Sequence, residues 1–179
     1  MTEEIKPYSF QWKDLGDIEL GRPNLGNTMS VAVYRLMQYT MRAVLNRKLS
    51  PAAASELLRE AGHEAGLEFC LNMLDRTLPL SGFVAQLQDL LQSLRIGIMR
   101  FEKSDTERLD FTLTVSEDLD CSGLPITGAT VCEYDEGFIA GIFEGYTGKV
   151  FTVREVDCWA TGDRTCRFRA VAATEITVA

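Results

Sequence analysis

The sequence of 179 residues contains a single histidine and has no excess of basic residues. One imidazole, that of His63, excludes any zinc site that needs two histidines of the same chain. The 18 basic residues are outnumbered by 26 acidic ones, which gives a net charge of -8. Because nucleic acids and anionic membrane surfaces attract basic proteins, we expect neither as a partner.

Long apolar runs are also missing. No stretch approaches the roughly 18 apolar residues of a membrane-spanning helix. The polar and acidic start, residues 1–6, lacks the basic segment and apolar run of a secretory signal. We therefore expect a cytoplasmic protein with no membrane partner and with reduced thiols. The odd number of cysteines, 5, agrees with this, since a closed disulfide framework needs an even number.

The hydrophobic pattern predicts three helices, a hairpin, a fourth helix and a second hairpin. Apolar residues recur at three- and four-residue steps in the segments 27–45, 50–74 and 81–94. Strand-like segments occupy 98–101, 109–115, 149–154 and 166–171. Between the hairpins, Thr130 and Glu133 form a capping-box pattern that starts a helix. This order is typical of an α+β fold in which helices pack on an antiparallel sheet.

Glycines recur at four-residue spacing on two of the predicted helices. Gly62 and Gly66 share one face of the second helix, and Gly137, Gly141 and Gly145 share one face of the last. Each glycine weakens a helix by about 1 kcal/mol relative to alanine. Such stripes are therefore explained best by close packing against another element.

Three cysteines and one glutamate form a candidate metal site. Cys158 and Cys166 flank the last predicted turn, and Cys132 lies near the start of the preceding helix. Glu155 precedes Cys158 by three residues, a spacing that places two side chains on opposite faces of a straight strand. Both can address one ion only if the strand bends or bulges near Asp157. Three thiolates and a carboxylate would suit tetrahedral zinc in a closed, structural site.

The cysteine spacing alone leaves other interpretations open. The same residues could be ordinary buried thiols or a redox-labile pair. Cys70 and Cys121 are interpreted as core and loop thiols without a chemical role. A lone pair with seven residues between its members is not in itself a zinc knuckle.

The segment from Glu155 to Phe168 resembles the C-terminal signature of the vinyl-4-reductase domain family. Two further stretches resemble the same family. One is Cys132 followed by Gly137-Phe138 and Gly141; the other is Gly21-Arg22-Pro23-Asn24 leading into Val33-Tyr34-Arg35. The resemblance extends from about residue 18 to residue 172.

The resemblance implies an α+β fold shared with haem nitric-oxide sensor domains and TRAPP transport-complex subunits. It implies a single small-molecule-binding domain, here residues 21–175, of a kind that is often a homodimer. Relatives in phenol-responsive transcription activators hold zinc through three Cys and one Glu, an order that is met here by Cys132, Glu155, Cys158 and Cys166. The preceding residues 1–20 are interpreted as an arm that packs on a partner subunit.

We interpret the chain as a domain that binds or senses a small apolar or aromatic ligand between its helices and its sheet. The candidates for the pocket wall are Met37, Met41, Phe83, Leu87, Phe101, Phe111, Leu113, Phe138 and Ile142. The phenol sensors grip the ligand hydroxyl with a His and a Trp. Here His63, Trp12 and Trp159 do not fall at those positions, which points away from phenol itself.

Three other functions remain open. A tetrapyrrole vinyl reductase, or an accessory to one, is implied by the family's name, but no dinucleotide fingerprint, P-loop or nucleophile elbow is present. A haem sensor would need an axial ligand, for which His63 is the only histidine. A scaffold or assembly subunit would need no ligand.

Overall fold

Helices and strands follow one another in the order that the hydrophobic pattern predicts; the computed structural model describes residues 8–173. The helices are α1 (Ile18–Gly21), α2 (Val31–Lys48), α3 (Pro51–Met73), α4 (Leu80–Ser93) and α5 (Glu133–Thr147). The strands are β1 (Ile98–Asp105), β2 (Asp110–Ser116), β3 (Phe151–Asp157) and β4 (Cys166–Ala172). Short 3-10 helices span Trp12–Leu15 and Trp159–Thr161. Within residues 8–173, no helix is both long enough and apolar enough to cross a bilayer.

The four strands form one sheet in the order β1-β2-β4-β3, and every neighbouring pair is antiparallel. Both predicted hairpins are present, and helices pack against this sheet, so the predicted α+β fold is confirmed. β4 lies between β2 and β3, which brings the end of the chain into the middle of the sheet. As a result, Cys166 at the start of β4 pairs with Val115 near the end of β2.

Two helix starts differ from the prediction, and one agrees. Ser50 caps α3, as expected, because its side chain accepts a hydrogen bond from the Ala53 N–H. α2 is capped by Ser30 rather than by Asn27 or Thr28, since Ser30 has the extended backbone and its hydroxyl accepts from Ala32. α4 begins at Leu80, one residue before the predicted start.

The capping box predicted at the start of α5 is wrong. The helix begins at Glu133 with Cys132 at the N-cap, so Thr130 lies outside it. The Glu133 carboxylate binds Arg42 at 2.6 Å and accepts from the Ser55 hydroxyl at 2.8 Å, instead of returning to the cap. These tertiary partners of Glu133 replace the local interaction that the pattern indicates.

The glycine stripes of α3 and α5 face each other, as predicted. A Cβ added at Gly62 or Gly66 would fall on the backbone carbonyl of Tyr134 or Phe138, respectively. A Cβ added at Gly141 would meet the carbonyl of His63 in the same way. The two helix backbones are therefore in direct contact, and α5 is held at a fixed height along α3.

The core lies between α5 and the sheet. Phe143 of α5 stacks between Phe111 of β2 and Phe151 of β3, with both ring centroids at 5.1 Å. All three rings are buried. This aromatic stack fixes the distance between α5 and the two strands, and therefore the position of the helix N-terminus relative to the sheet.

α2 packs on the rest of the chain with its polar side. The apolar residues that the pattern assigns to one face do share a face, but that face is exposed. Its exposed members are Val33, Leu36, Met37, Met41 and Val44. The inner face carries Tyr34, Arg35, Gln38, Tyr39 and Arg42, which hydrogen-bond to the segment 118–133.

Part of the predicted N-terminal arm packs on its own chain. The Trp12 N–H donates to Glu68 of α3 at 2.8 Å, and the indole packs against the core. Leu20 and Leu25, farther along, are exposed. Residues 1–7 of the arm, and residues 174 and 175 of the predicted domain, lie outside the described residues. The role of the arm in a dimer stays a prediction.

The glycine contact can be tested with Gly141→Ala. The added methyl would collide with backbone that cannot move aside, and we expect the free energy of unfolding to fall by about 3 kcal/mol or more. The control is Gly21→Ala, where an added Cβ meets nothing within 4 Å. Urea unfolding monitored by circular dichroism measures both. Equal stability of the two variants would contradict the close contact.

Candidate metal centre and adjoining cavity

Four cysteine thiols converge at one buried point. They belong to Cys121, Cys132, Cys158 and Cys166, and their sulfur atoms all lie within 4.8 Å of one another. The Cys132 Sγ lies 3.9 Å from the Sγ of both Cys158 and Cys166. Cys121 and Cys166 are closer, at 3.0 Å. No disulfide joins them, so all four thiols can act as ligands.

The polypeptide brings these thiols together from four places. Cys121 lies in the loop after β2, Cys132 caps α5, Cys158 follows β3, and Cys166 starts β4. The Cys158 carbonyl accepts from the Thr161 and Asp163 N–H groups, both at 3.1 Å, which closes a tight turn between β3 and β4. This turn places Cys158 and Cys166 side by side.

The irregularity predicted near Asp157 is confirmed. The register of β3 on β4 shifts between Glu155 and Asp157. The shift turns Val156 outward, where its side chain is exposed. It allows Glu155 and Cys158 to lie on the same side of the strand despite their odd spacing.

Glu155 lies beside the four sulfurs. Its Oε2 accepts a 3.3 Å hydrogen bond from the Cys132 N–H. Its Oε1 is buried and has no hydrogen-bond partner among residues 8–173. Burial, followed by the effect of Cys158, raises the pKa of the Glu155 carboxyl to about 8. The predicted set of Cys132, Glu155, Cys158 and Cys166 is thus brought together, with the carboxylate outside the tightest group.

Cys121, which the sequence indicated to be an ordinary loop thiol, is a member of that tightest group. The Asp118 side chain folds the loop by accepting from the N–H groups of Asp120 (2.8 Å) and Cys121 (2.9 Å). The only available signal was the presence of four of the five cysteines between residues 121 and 166. Their spacing matches no short metal-binding motif.

Proximity of the thiols shifts their acidities in opposite directions. The pKa of Cys158 is lowered because Cys121, Cys132 and Cys166 donate hydrogen bonds to its thiolate. The pKa values of Cys132 and Cys166 are raised, first through their hydrogen bonds with Cys121. A metal-free cluster therefore concentrates negative charge on one sulfur, which is an attractive position for a cation.

Three aspartates surround the thiols on the side facing α2 and α5. Donor atoms of Asp118, Cys132 and Asp135 lie within 4.8 Å of one another. Burial, then the Asp120 charge, raises the pKa of Asp118 to about 7. Burial and the charges of Asp120 and Asp118 also raise the pKa of Asp135 well above its usual value.

Polar residues of α2 bind Asp120. Its carboxylate accepts from the Tyr34 hydroxyl at 2.8 Å and from the Gln38 amide at 2.5 Å. The Tyr39 hydroxyl donates to its backbone carbonyl at 3.1 Å. Asp120 is therefore satisfied by α2 and acts as the link between that helix and the thiol cluster.

The arginines near the cluster in sequence are used elsewhere. Arg154 and Arg169 bind Glu136 and Asp110, respectively. Arg167 binds Glu102 and Asp157. Arg164 lies over the Trp159 ring, 5.2 Å from its centroid. These side chains do not neutralise the thiols.

A cavity of about 30 Å³ adjoins the cluster between α4, α5 and the sheet. Its wall is apolar apart from Asp118 and Asp135. The predicted pocket residues that line it are Leu87, Leu113, Phe138 and Ile142. Its volume exceeds the roughly 10–15 Å³ that one water molecule needs, and is far below the roughly 150 Å³ of a cavity that holds benzene.

Five predicted pocket residues lie elsewhere. Met37 and Met41 are 56% and 52% exposed on the outer face of α2, because its polar face binds the rest of the chain. Phe83 stacks on Tyr146 at 3.9 Å, and Phe101 and Phe111 pack edge to face at 6.0 Å. These three rings belong to the core and are not part of the cavity wall.

The histidine and both tryptophans have partners outside the cavity. The His63 Nε2 lies 2.8 Å from the Glu144 carboxylate, across the contact of α3 with α5. The Trp159 Nε1 donates to the Leu124 carbonyl at 3.0 Å. None of these side chains lines the cavity, in agreement with the sequence interpretation.

Known structures share this fold. A vinyl-4-reductase family protein from Methanocaldococcus jannaschii superposes with a TM-score of 0.61, 15% identity, and coverage of 94% of this chain and 100% of that one. The phenol-responsive sensory domain of the transcription activator PoxR, solved with phenol, gives 0.59, 16%, 80% and 75%. A trafficking protein particle complex subunit 3 from Naegleria fowleri, covalently bound to palmitic acid, gives 0.58, 11%, 81% and 98%.

The family match falls on the part of the chain that builds the metal centre. Residues 111–172 match the model of the vinyl-4-reductase domain. This segment contains β2, α5, β3 and β4, together with all four cysteines of the cluster. Residues 111–172 of this chain therefore belong to the vinyl-4-reductase domain family.

Proposed function

We propose that this chain is a small-molecule-sensing domain whose ligand cavity lies against a structural zinc centre. The observation that carries the proposal is the apolar cavity between α4, α5 and the sheet, one end of which is formed by Asp118 and Asp135. The same two carboxyls approach Cys132 of the thiol cluster. Cavity and cluster are thus contiguous.

The ligands of structural neighbours support an apolar ligand class. The PoxR sensory domain holds phenol, and the TRAPP subunit carries palmitic acid. Both molecules are mainly apolar, as is the cavity wall here. His63, Trp12 and Trp159 all lie away from the cavity, so recognition of a polar group would fall to the two aspartates.

The small volume of the cavity implies that ligand binding requires its wall to move. A ring-sized ligand needs several times the roughly 30 Å³ present. Leu87 and Leu91 contribute the α4 side of the wall. Displacement of α4 on binding would convert ligand occupancy into a change of shape, which is what a sensor requires.

The thiol cluster fits a zinc ion. Zinc–sulfur bonds of about 2.3 Å in a tetrahedron place two sulfurs about 3.8 Å apart. The two distances of 3.9 Å from Cys132 agree with this spacing. We propose that Cys121, Cys132, Cys158 and Cys166 bind the ion and that Glu155 lies next to this set. Four protein ligands leave no open position, so the zinc is structural.

The outer face of α2 suits a second copy of the chain. Leu36, Met37 and Met41 are exposed there, and the charged Arg35 and Arg42 point inward. Two such faces can meet without bringing like charges together. An isologous contact of this kind would produce a homodimer, in which the predicted arm could take part.

Ligand binding can be tested with toluene, an apolar ring without a hydroxyl. We expect saturable changes in the NMR signals of Leu87 and Leu113, because both line the cavity. Ile142→Phe should abolish these changes by filling the cavity. Val150→Phe adds the same ring at an exposed position and should leave them intact. Absence of saturable changes in the wild type would contradict the proposed cavity.

The zinc donor set can be tested with Cys121→Ser and Glu155→Gln. Loss of a ligand should lower zinc affinity more than about 100-fold, whereas loss of a neighbouring group costs about 10–100-fold. We therefore expect Cys121→Ser to have the larger effect in a competition titration with a chromophoric chelator. The reverse order would place Glu155 in the set instead of Cys121.

Cys70→Ala serves as the control for thiol loss. Cys70 is buried but lies outside the cluster, so this variant should keep the zinc affinity of the wild type. Cys158→Ser should lose zinc and unfold at a lower temperature, because zinc binding energy contributes to folding. A zinc-free wild type with unchanged stability would show that the thiols are not a metal centre.

Dimer formation can be tested with Leu36→Asp. Burying a carboxylate in an apolar interface is costly, so we expect a dimer in the wild type and a monomer in the variant, measured by size-exclusion chromatography with light scattering. Leu57→Asp places the same charge on an exposed leucine of α3 and should remain a dimer. A monomeric wild type would rule out the homodimer.

A further inference from the structure

Among residues 8–173, no basic side chain balances the buried carboxyls beside the thiol cluster. Four thiolates around one zinc would carry a net charge of about -2, and Asp118 and Asp135 add to it. The two arginines of α2 in this region do not compensate. Arg35 binds the Leu119 carbonyl at 2.7 Å, and Arg42 binds Glu133 and the Val131 carbonyl.

We propose that Asp118, Cys132 and Asp135 form a second site for a divalent cation, joined to the four-cysteine centre through a bridging Cys132 thiolate. This inference rests on the proposed zinc centre, since the two sites share Cys132. It adds an ion that the four-cysteine set does not require. The cluster would then hold two metal ions.

The donor geometry permits such an ion. The three donor atoms lie within 4.8 Å of one another. Zinc bonds of about 2.0–2.3 Å separate two donors of one ion by up to about 4.5 Å. Movement of a few tenths of an ångström therefore brings all three donors into coordination distance.

An orphaned oxygen provides an independent reason for a ligand at this position. Asp135 Oδ2 is buried and accepts no hydrogen bond from any group in residues 8–173. A buried polar oxygen without a partner costs about 1–3 kcal/mol, and more when it is charged. A cation at the proposed site would satisfy that oxygen directly.

Asp118 is oriented for the same task. Its Oδ1 accepts from two backbone N–H groups, those of Asp120 at 2.8 Å and Cys121 at 2.9 Å. Hydrogen bonds of this kind fix the orientation of a metal-binding carboxylate. Asp118 is only 4% exposed, so water cannot take the place of the ion freely.

The donor set indicates the chemical class of the ion and of its further ligand. One thiolate and two carboxylates suit a borderline ion such as zinc. Three protein donors leave a position open, and Asp118 and Asp135 both line the apolar cavity. The open position is therefore directed at the ligand. An apolar molecule with one metal-binding atom, such as a hydroxyl or thiol, would satisfy both the wall and the ion.

The stoichiometry of zinc tests the second site. The full chain is loaded with zinc, separated from excess metal by gel filtration, and analysed for zinc and protein. We expect about two zinc ions per wild-type chain and about one in Asp118→Asn/Asp135→Asn, whose amides are weaker ligands. Asp89→Asn removes an exposed carboxylate of α4 and should keep about two.

The outcomes separate the second site from the zinc centre itself. One zinc per wild-type chain that Cys158→Ser removes would contradict the second site and leave the zinc centre standing. No zinc in the wild type would overturn both. Two zinc ions retained by the double aspartate variant would also overturn the second site. If that variant does not fold, the wild-type stoichiometry still decides.

Discussion

The backbone contact between α3 and α5 is the constraint on which the site depends. Glycines at 62, 66 and 141 let the two helices touch without intervening side chains, so α5 cannot slide along α3 or rotate. The N-terminus of α5 carries Cys132, followed one turn later by Asp135. A helix held less firmly would not keep these two donors beside Cys158 and Cys166, which arrive from the sheet.

The concentration of buried acidic groups explains the unusual orientation of α2. Asp120 and the loop carbonyls near it need hydrogen-bond donors, and the inner face of α2 supplies them from Tyr34, Gln38 and Arg35. Because the polar face of this helix is turned inward, its apolar face must be turned outward. The demands of the cluster therefore create the exposed surface that a second chain can cover.

The sequence predicted the features that depend on neighbouring residues. Strand alternation, the glycine stripes and the irregularity near Asp157 follow from local spacing, and the structure confirms all three. Periodicity shows which residues share a face but not which way the face points, so Met37 and Met41 were placed wrongly. Cys121 was missed because its approach to Cys166 depends on how a long loop folds over the sheet.

The shared position of Asp118 and Asp135 connects ligand binding with metal binding. Both carboxyls contribute to the cavity wall and approach Cys132, so a molecule entering the cavity changes the surroundings of the cluster. On this side the wall is held by α5 and by the thiols and is rigid. The opposite wall, formed by Leu87 and Leu91 of α4, has neither a glycine contact with α3 nor a metal ligand. We infer that α4 is the part that moves when the cavity fills, because the cluster keeps the other wall in place.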